Sequence, residues 1–174
     1  SFTLATKLNT RVAKSEAQAK AQFQASLERT GAGYFDYYLL HALQAQNAGT
    51  YDAWGIWDFV REQKEKGLVK HWGFSFHDSP QTLDRLLTDH PDAEFVQLQI
   101  NYADWEDPQV TARANYEVAR KHGKPVVIME PVKGGVLALP PAPVQKVFDD
   151  AGKDCSYASW AVRFAASQEG VLTG

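Results

Sequence analysis

Short apolar runs alternate with longer segments of mixed polarity along the whole chain. The runs are rich in aromatic and branched residues, which favours buried strands. They fall at residues 2–6, 36–41, 69–74, 95–100, 125–129 and 171–173. Repetition at about 30-residue spacing is typical of βαβ units, whose strands form a parallel sheet. The pattern therefore predicts an α/β fold.

The segments between the runs predict helices. We expect them at residues 15–29, 50–66, from 79 or 80 onward, and at 108–122, 144–149 and 156–166. In the first, Ser15 can cap the amino end with Gln18 three residues later, and Gly31 follows the end. The second begins at Thr50 or Asp52, and Gly67 ends it.

The number of strands distinguishes between the two common parallel folds. Five complete runs and a cut sixth, with no Gly-x-Gly-x-x-Gly after the first, argue against a dinucleotide-binding open sheet and for part of a (β/α)8 TIM barrel. Such barrels have ~250 residues, whereas this chain has 174 and begins at Ser1 directly in a strand. We expect residues 1–174 to form a single incomplete barrel domain, a fragment of a longer protein.

Composition narrows the classes of partner. The net charge is −3 with both signs interspersed, so no basic patch suits nucleic acid. No apolar run approaches the roughly 20 residues of a membrane span, and the opening residues lack the basic-then-apolar pattern of a signal peptide. Cys155 is the only cysteine, which fits a reducing compartment. We expect a cytoplasmic protein that binds neither nucleic acid nor membrane, with strand edges through which copies could pair.

Polar side chains stand where the predicted strands end. They are Lys7, His41, Ser75, Gln99 and Glu130. The carboxyl ends of parallel strands are where barrel enzymes place their chemistry, so these residues are candidates for a common site. Gln97 competes with Gln99, because strand alternation puts both on one face.

The ordered motifs resemble those of the aldo-keto reductase family. The matching segments are LATK at residues 4–7, SLERTG at 26–31 with YFDYYLLH at 34–41, KGLVKHWGFS at 66–75 and QINY at 99–102. The resemblance covers nearly the whole chain and places it from the family's third strand to the start of its last, so the first two strands and most of the last would be lacking. MEPVKGG at residues 129–135 is similar to a bacterial branch that often carries an iron–sulfur tail; a cluster is expected only in such a C-terminal tail, which these residues do not include.

The resemblance implies reversible hydride transfer between NADP(H) or NAD(H) and a small aldehyde or ketone. Lys7 and His41 match the family's catalytic lysine and histidine. In the family, a tyrosine gives the proton to the carbonyl oxygen, a lysine paired with an aspartate tunes that tyrosine, and the histidine orients the carbonyl. Ser75, Gln99, Met129 and Glu130 are implied as cofactor-binding residues.

Several positions depart from the family pattern. The tyrosine and aspartate of the catalytic tetrad have no match, and neither does the loop that grips the cofactor phosphates. Phe76 stands where the family has an amide-binding asparagine, whose role is lost or passes to His77. Met129 offers a polarizable sulfur where many members stack an aromatic ring. We therefore expect the 174-residue chain itself to be inactive.

Three alternatives remain at this point. His41, His77 and Glu130 could bind zinc or manganese in a metal-dependent barrel enzyme. Ser75 could be a hydrolase nucleophile, although the second glycine of the usual elbow is absent. The chain could also be a non-catalytic scaffold.

The role of Glu130 has its own alternative. Its side chain could be a structural carboxylate, either buried or paired with Lys133.

Overall fold

Six strands alternate with helices in the computed structural model, which describes residues 2–152 and 155–173. The strands are β1 (Ala5–Leu8), β2 (Phe35–Leu43), β3 (Val69–Phe76), β4 (Phe95–Gln99), β5 (Val126–Met129) and β6 (Val171–Thr173). They form one parallel sheet in chain order, with β1 next to β2 and so on to β6. This order confirms the α/β prediction and matches part of a (β/α)8 barrel.

The helices are α1 (Glu16–Thr30), α2 (Ala45–Ala53), α3 (Ile56–Glu65), α4 (Pro80–Asp89), α5 (Ala112–Lys121), α6 (Ala142–Ala151) and α7 (Tyr157–Ala166). Short 3-10 helices lie at Thr10–Val12 and Val136–Ala138. The predicted cap of α1 is present: the Ser15 hydroxyl accepts a hydrogen bond from the Gln18 backbone N–H, and Gly31 closes the helix with a φ of 64°. The chain divides into two compact units, Ser1–Val96 and Gln97–Gly174.

The core of the first unit is aromatic. Phe23 of α1 packs edge-on against Phe35 and Tyr38 of β2, with ring centroids 5.7 and 5.0 Å apart. Gly73 in β3 is required by a close approach, since a Cβ there would lie 2.2 Å from the carbonyl oxygen of Phe95. Helix α1 thus covers one face of β2.

The predicted helix at residues 50–66 is wrong. Two helices, α2 and α3, occupy Ala45–Ala53 and Ile56–Glu65. The break falls at Gly55, whose φ of 57° is left-handed and cannot continue a helix. Gln44 caps the start of α2, with Asn47 completing a capping box.

In the second unit, α5 starts later than the predicted residue 108. The Asp107 carboxylate accepts hydrogen bonds from the backbone N–H groups of Gln109 and Val110 at 2.8 and 2.9 Å. This turn competes with helix formation, and Thr111 then enters a left-handed conformation before α5 begins.

Phe148 of α6 stacks on Trp160 of α7 with centroids 5.6 Å apart. No helix in the described part of the chain is long and apolar enough to cross a membrane.

Candidate active site

Lys7 and His41 lie on one face of neighbouring strands. Lys7 is opposite Leu39 in the pairing of β1 with β2, and strand alternation puts His41 on the same face as Leu39. Lys7 is inside β1 rather than after the strand as expected, because the pairing continues to Leu8 and Leu40. Both side chains are half-buried.

The electrostatics of the pair favour a neutral imidazole. Burial lowers the pKa of the Lys7 ammonium. Burial also lowers the pKa of His41, and the neighbouring basic groups of Lys7, His77 and Arg11 lower it further. His41 is therefore neutral near pH 7, with one ring N–H that can donate a hydrogen bond.

A β-bulge carries His41. Leu40 pairs with Phe74 and Leu43 pairs with Phe76, so two residues of β2, His41 and Ala42, lie opposite a single residue of β3. That residue is Ser75. Ala42 has a φ of 53°, and a bulge of this kind re-aims the side chains beside it. The predicted end of the strand at residue 41 is wrong for this reason: β2 continues past the bulge to Leu43.

The bulge is fixed by side-chain hydrogen bonds. The Ser75 hydroxyl accepts from the Ala42 N–H at 2.8 Å, and Asn47 donates to the Ala42 carbonyl at 2.8 Å. Tyr51 donates to the His41 carbonyl at 2.6 Å. These bonds satisfy backbone groups that the interrupted ladder leaves unpaired, and they hold the backbone from which the His41 ring extends.

Sequence reasoning missed Asn47 and Tyr51. They are four residues apart on α2 and so face the same direction, but the predicted helix begins only at Thr50 or Asp52, so the turn that carries Asn47 lies outside it. Ser75 was predicted to follow its strand, whereas it lies inside β3 and is 1% exposed. Its observed bond is to the bulge, and its hydroxyl hydrogen is left to donate elsewhere.

His77 and Phe76 differ in their surroundings. Phe76 is 2% exposed and packs near Phe74, with centroids 6.5 Å apart, so the family's asparagine position is filled by a core ring. His77 is exposed just after β3, and its carbonyl accepts from Gln44 Nε2 at 2.8 Å. Burial of its ring and the charges of Arg11 and Lys7 lower the pKa of His77.

In the second unit, Gln99 belongs to a buried polar cluster. Its Nε2 donates to Asp104 at 2.7 Å, and Asn101 Nδ2 donates to the same carboxylate oxygen at 2.7 Å. Lys133 forms an ion pair with the other oxygen of this carboxylate, whose side chain is fully buried. Burial raises the pKa of Asp104, but the bonds from Lys133, Gln99 and Asn101 outweigh it and the pKa is lowered.

The hydrogen bonds of this cluster distinguish Gln99 from Gln97, the other candidate on the same strand face. The amide nitrogen of Gln99 is committed to Asp104, which leaves its Oε1 as an acceptor. Gln97 has a buried Oε1 without a hydrogen-bond partner among the described residues. Asn101 and Asp104 were not recognised from the sequence, because their role depends on Lys133, 29 residues beyond Asp104.

Met129 and Glu130 end β5. Met129 is half-buried, and its carbonyl accepts from the Ile100 N–H at 3.2 Å. Glu130 is exposed and has a φ of 58°. Both structural interpretations of Glu130 are wrong: its carboxylate is not buried, and Lys133 pairs with Asp104 instead. The positive φ of Glu130 is a strained backbone conformation, and such conformations concentrate at functional sites.

The metal and hydrolase alternatives gain no support. In residues 2–152 and 155–173, no three His, Cys, Asp or Glu side chains are grouped so that they could hold a metal ion. A nucleophilic serine must be paired with a base that takes its proton. The Ser75 hydroxyl accepts the Ala42 N–H, and no base is hydrogen-bonded to it among the described residues.

Comparisons with known proteins agree with this fold. The sequence profile of the Aldo/keto reductase family matches residues 1–173. An aldo/keto reductase structure from Brucella melitensis is 23% identical, with a TM-score of 0.71, over 99% of this chain and 60% of that one. An aldo-keto reductase from Klebsiella pneumoniae in complex with NADPH is 19% identical, with a TM-score of 0.68, over 98% of this chain and 58% of that one.

A holo-form aldo-keto reductase from Bacillus halodurans is similarly related, at 19% identity and a TM-score of 0.68, over 99% of this chain and 61% of that one. No curated protein sequence matches. The chain spans about three fifths of the length of these solved structures. Its sequence and fold place the chain in the aldo/keto reductase family.

Proposed function

We propose that the protein is an NAD(P)H-dependent oxidoreductase that interconverts a carbonyl compound and its alcohol. One observation carries the proposal: Lys7 and His41, which match the family's catalytic lysine and histidine, share a strand face, and the charge of Lys7 acts on the His41 ring. Family membership supports the oxidoreductase class.

The nicotinamide, when bound, supplies or accepts the hydride. The chain's own residues manage the carbonyl oxygen, on which negative charge builds during reduction. The neutral His41 ring donates an N–H to that oxygen and orients it, and the Lys7 ammonium stabilises the developing charge. Both groups are half-buried, and electrostatic stabilisation is stronger where water is excluded.

The resemblance to the family implies that Ser75 and Gln99 bind the nicotinamide carboxamide, and each of them keeps a free hydrogen-bonding group. A carboxamide presents one acceptor oxygen and one N–H donor group. The Ser75 hydroxyl keeps a hydrogen to donate after accepting from Ala42, and Gln99 keeps its Oε1 to accept after donating to Asp104. In this proposal Met129 packs against the nicotinamide ring through its sulfur, and the exposed Glu130 contacts a ribose hydroxyl.

The enzymatic assignment is tested by single substitutions in the complete protein that the gene encodes. His41→Gln is expected to lower kcat for carbonyl reduction by roughly 10²–10⁴-fold, the usual worth of a positioned acid or base, while NADPH still binds. Lys14→Met, a change at an exposed lysine, serves as control and retains activity. Full activity in His41→Gln would refute the assignment.

We further propose that the 174-residue chain alone does not sustain turnover. No residue in it matches the tyrosine that gives the proton in this family. Purified chain mixed with NADPH and a panel of aldehydes and ketones is expected to show no loss of absorbance at the nicotinamide wavelength. Repeated turnover that requires both cofactor and carbonyl would overturn this expectation.

A further inference from the structure

Four basic side chains gather at the strand ends of the first unit, next to the Asp78 carboxylate that follows His77. Lys7 lies in β1, Arg11 in the 3-10 helix after it, His41 at the bulge of β2 and His77 after β3. None of them forms an ion pair in the part of the chain that the structure describes. Five other cations of the same unit pair with a carboxylate: Lys20, Arg61, Lys64, Lys66 and Lys70.

Gln44 holds two members of this group together. Its Oε1 accepts from the Arg11 guanidinium, and its Nε2 donates to the His77 carbonyl at 2.8 Å. The guanidinium also lies 3.5 Å from the carbonyl of Ala42, the bulge residue next to His41. Arg11 and His77 are therefore held at the rim of the same bulge that carries His41.

The rim is accessible and positively charged. Arg11 and His77 are exposed, and Lys7 and His41 are half-buried. Arg11 has five N–H donors, and Gln44 and the Ala42 carbonyl engage only its Nη2. The two oxygens of Asp78, the carboxylate that follows His77, accept the backbone N–H groups of Ala45 and Ser79, each at 2.6 Å.

Burial lowers the pKa values of His41 and His77, and repulsion from the charges of Lys7 and Arg11 lowers them further. The repulsion is relieved when an anion binds. A guanidinium with free donors binds a carboxylate through two parallel hydrogen bonds. The feature is local, because the chain as a whole has a net charge of −3.

Resting on the proposed function, we propose that the substrate is an oxo acid, whose carboxylate binds Arg11 and His77 while its carbonyl faces His41 and Lys7. A phosphate of the cofactor has similar anion chemistry. The carboxylate of the substrate is favoured because Arg11 contacts the bulge that positions His41, the group that orients the substrate carbonyl. The rim then selects acidic carbonyl compounds over neutral ones.

The test follows the imidazole NMR signals of His41 and His77 while three probes are added: 4-oxopentanoate, the neutral ketone pentan-2-one, and NADP⁺. We expect 4-oxopentanoate to shift the His77 signal saturably and pentan-2-one not to do so. Arg11→Gln is expected to weaken the 4-oxopentanoate response about tenfold, the order of one charge-assisted hydrogen bond. Arg11→Lys, which keeps the charge, retains part of it, and Arg85→Gln, at an exposed arginine, leaves it unchanged.

Equal responses to the two ketones, or an unchanged response in Arg11→Gln, would overturn the proposal. An Arg11-dependent response to NADP⁺ alone would also overturn it and assign the rim to a cofactor phosphate. The readout needs no turnover. If 4-oxopentanoate binds in an Arg11-dependent way but the complete protein encoded by the gene reduces no carbonyl compound, the anion site is supported. The proposed reductase function is then rejected.

Discussion

Single residues at the strand ends show what sequence can and cannot predict here. The motifs identified Lys7 and His41, and the structure places them on one strand face. The role of Ser75 in the bulge was beyond reach, because a bulge is a mismatch of register between two strands and is not encoded in either strand alone. Asp104 was missed for a similar reason, since its partners come together only in the folded chain.

The charge on Lys7 should be measurable at His41. We expect the pKa of His41 to lie below its ordinary value of 6.5 and to rise in Lys7→Met, where one repelling charge is lost. Titration of the imidazole NMR signal measures both. An identical His41 pKa in wild type and Lys7→Met would contradict the proximity of the two groups.

The same depressed pKa links protonation to stability. Because the folded protein binds this proton less readily than the unfolded chain, the unfolded state gains protons first as the pH falls below 6.5. The contribution of His41 to stability is therefore complete above that pH and declines below it. Denaturant unfolding of His41→Gln should show a smaller loss of stability between pH 7.5 and pH 5 than the wild type.

The bulge gives a second prediction at the residue scale. Asn47→Ala removes the donor to the Ala42 carbonyl and the capping contact with the Gln44 N–H. We expect it to destabilise the fold by about 1–3 kcal/mol, the cost of leaving buried polar groups unpaired, and to shift the His41 NMR signal. Ser26→Ala on α1, a serine that makes no side-chain hydrogen bond among the described residues, should change neither quantity; an unaffected His41 signal in Asn47→Ala would argue against positioning.

At the scale of elements, the sequence predicted each strand and most helices, and the errors have local causes. The boundaries of α1 and β6 follow Ser15, Gly31 and the apolar run at 171–173. The split of α2 from α3 was missed because the polar segment before Thr50 has a weak apolar stripe, while its cap is formed by Gln44, a residue that seldom caps helices.

Gly55 and Gly49 form a matched pair for testing the split. Gly55→Ala is expected to destabilise the protein by about 1–2 kcal/mol because its φ of 57° suits glycine; space is not the reason, since the nearest atom to a Cβ is the Lys20 Nζ at 3.8 Å. Gly49→Ala inside α2 has nothing within 4 Å of the new Cβ and should stabilise by about 0.5–1 kcal/mol. Urea unfolding measures both, and the same sign for the two variants would contradict the helix break.

At the scale of the whole molecule, the order of the motifs in the sequence is enough to predict the fold and the family. Apolar runs at about 30-residue spacing are visible in sequence because strands buried on both faces have few polar residues. The charge environment of the site was not visible, since Arg11, Gln44 and His77 are 33 residues or more apart along the chain from one to the next.

The most direct test of the account is a titration of the 174-residue protein with NADPH and with NADH, following the fluorescence of its five tryptophans. The proposed carboxamide contacts of Ser75 and Gln99 predict saturable quenching that weakens in Gln99→Leu. Quenching that increases linearly without saturation for both nucleotides, in wild type and variant alike, would contradict the nicotinamide-binding site.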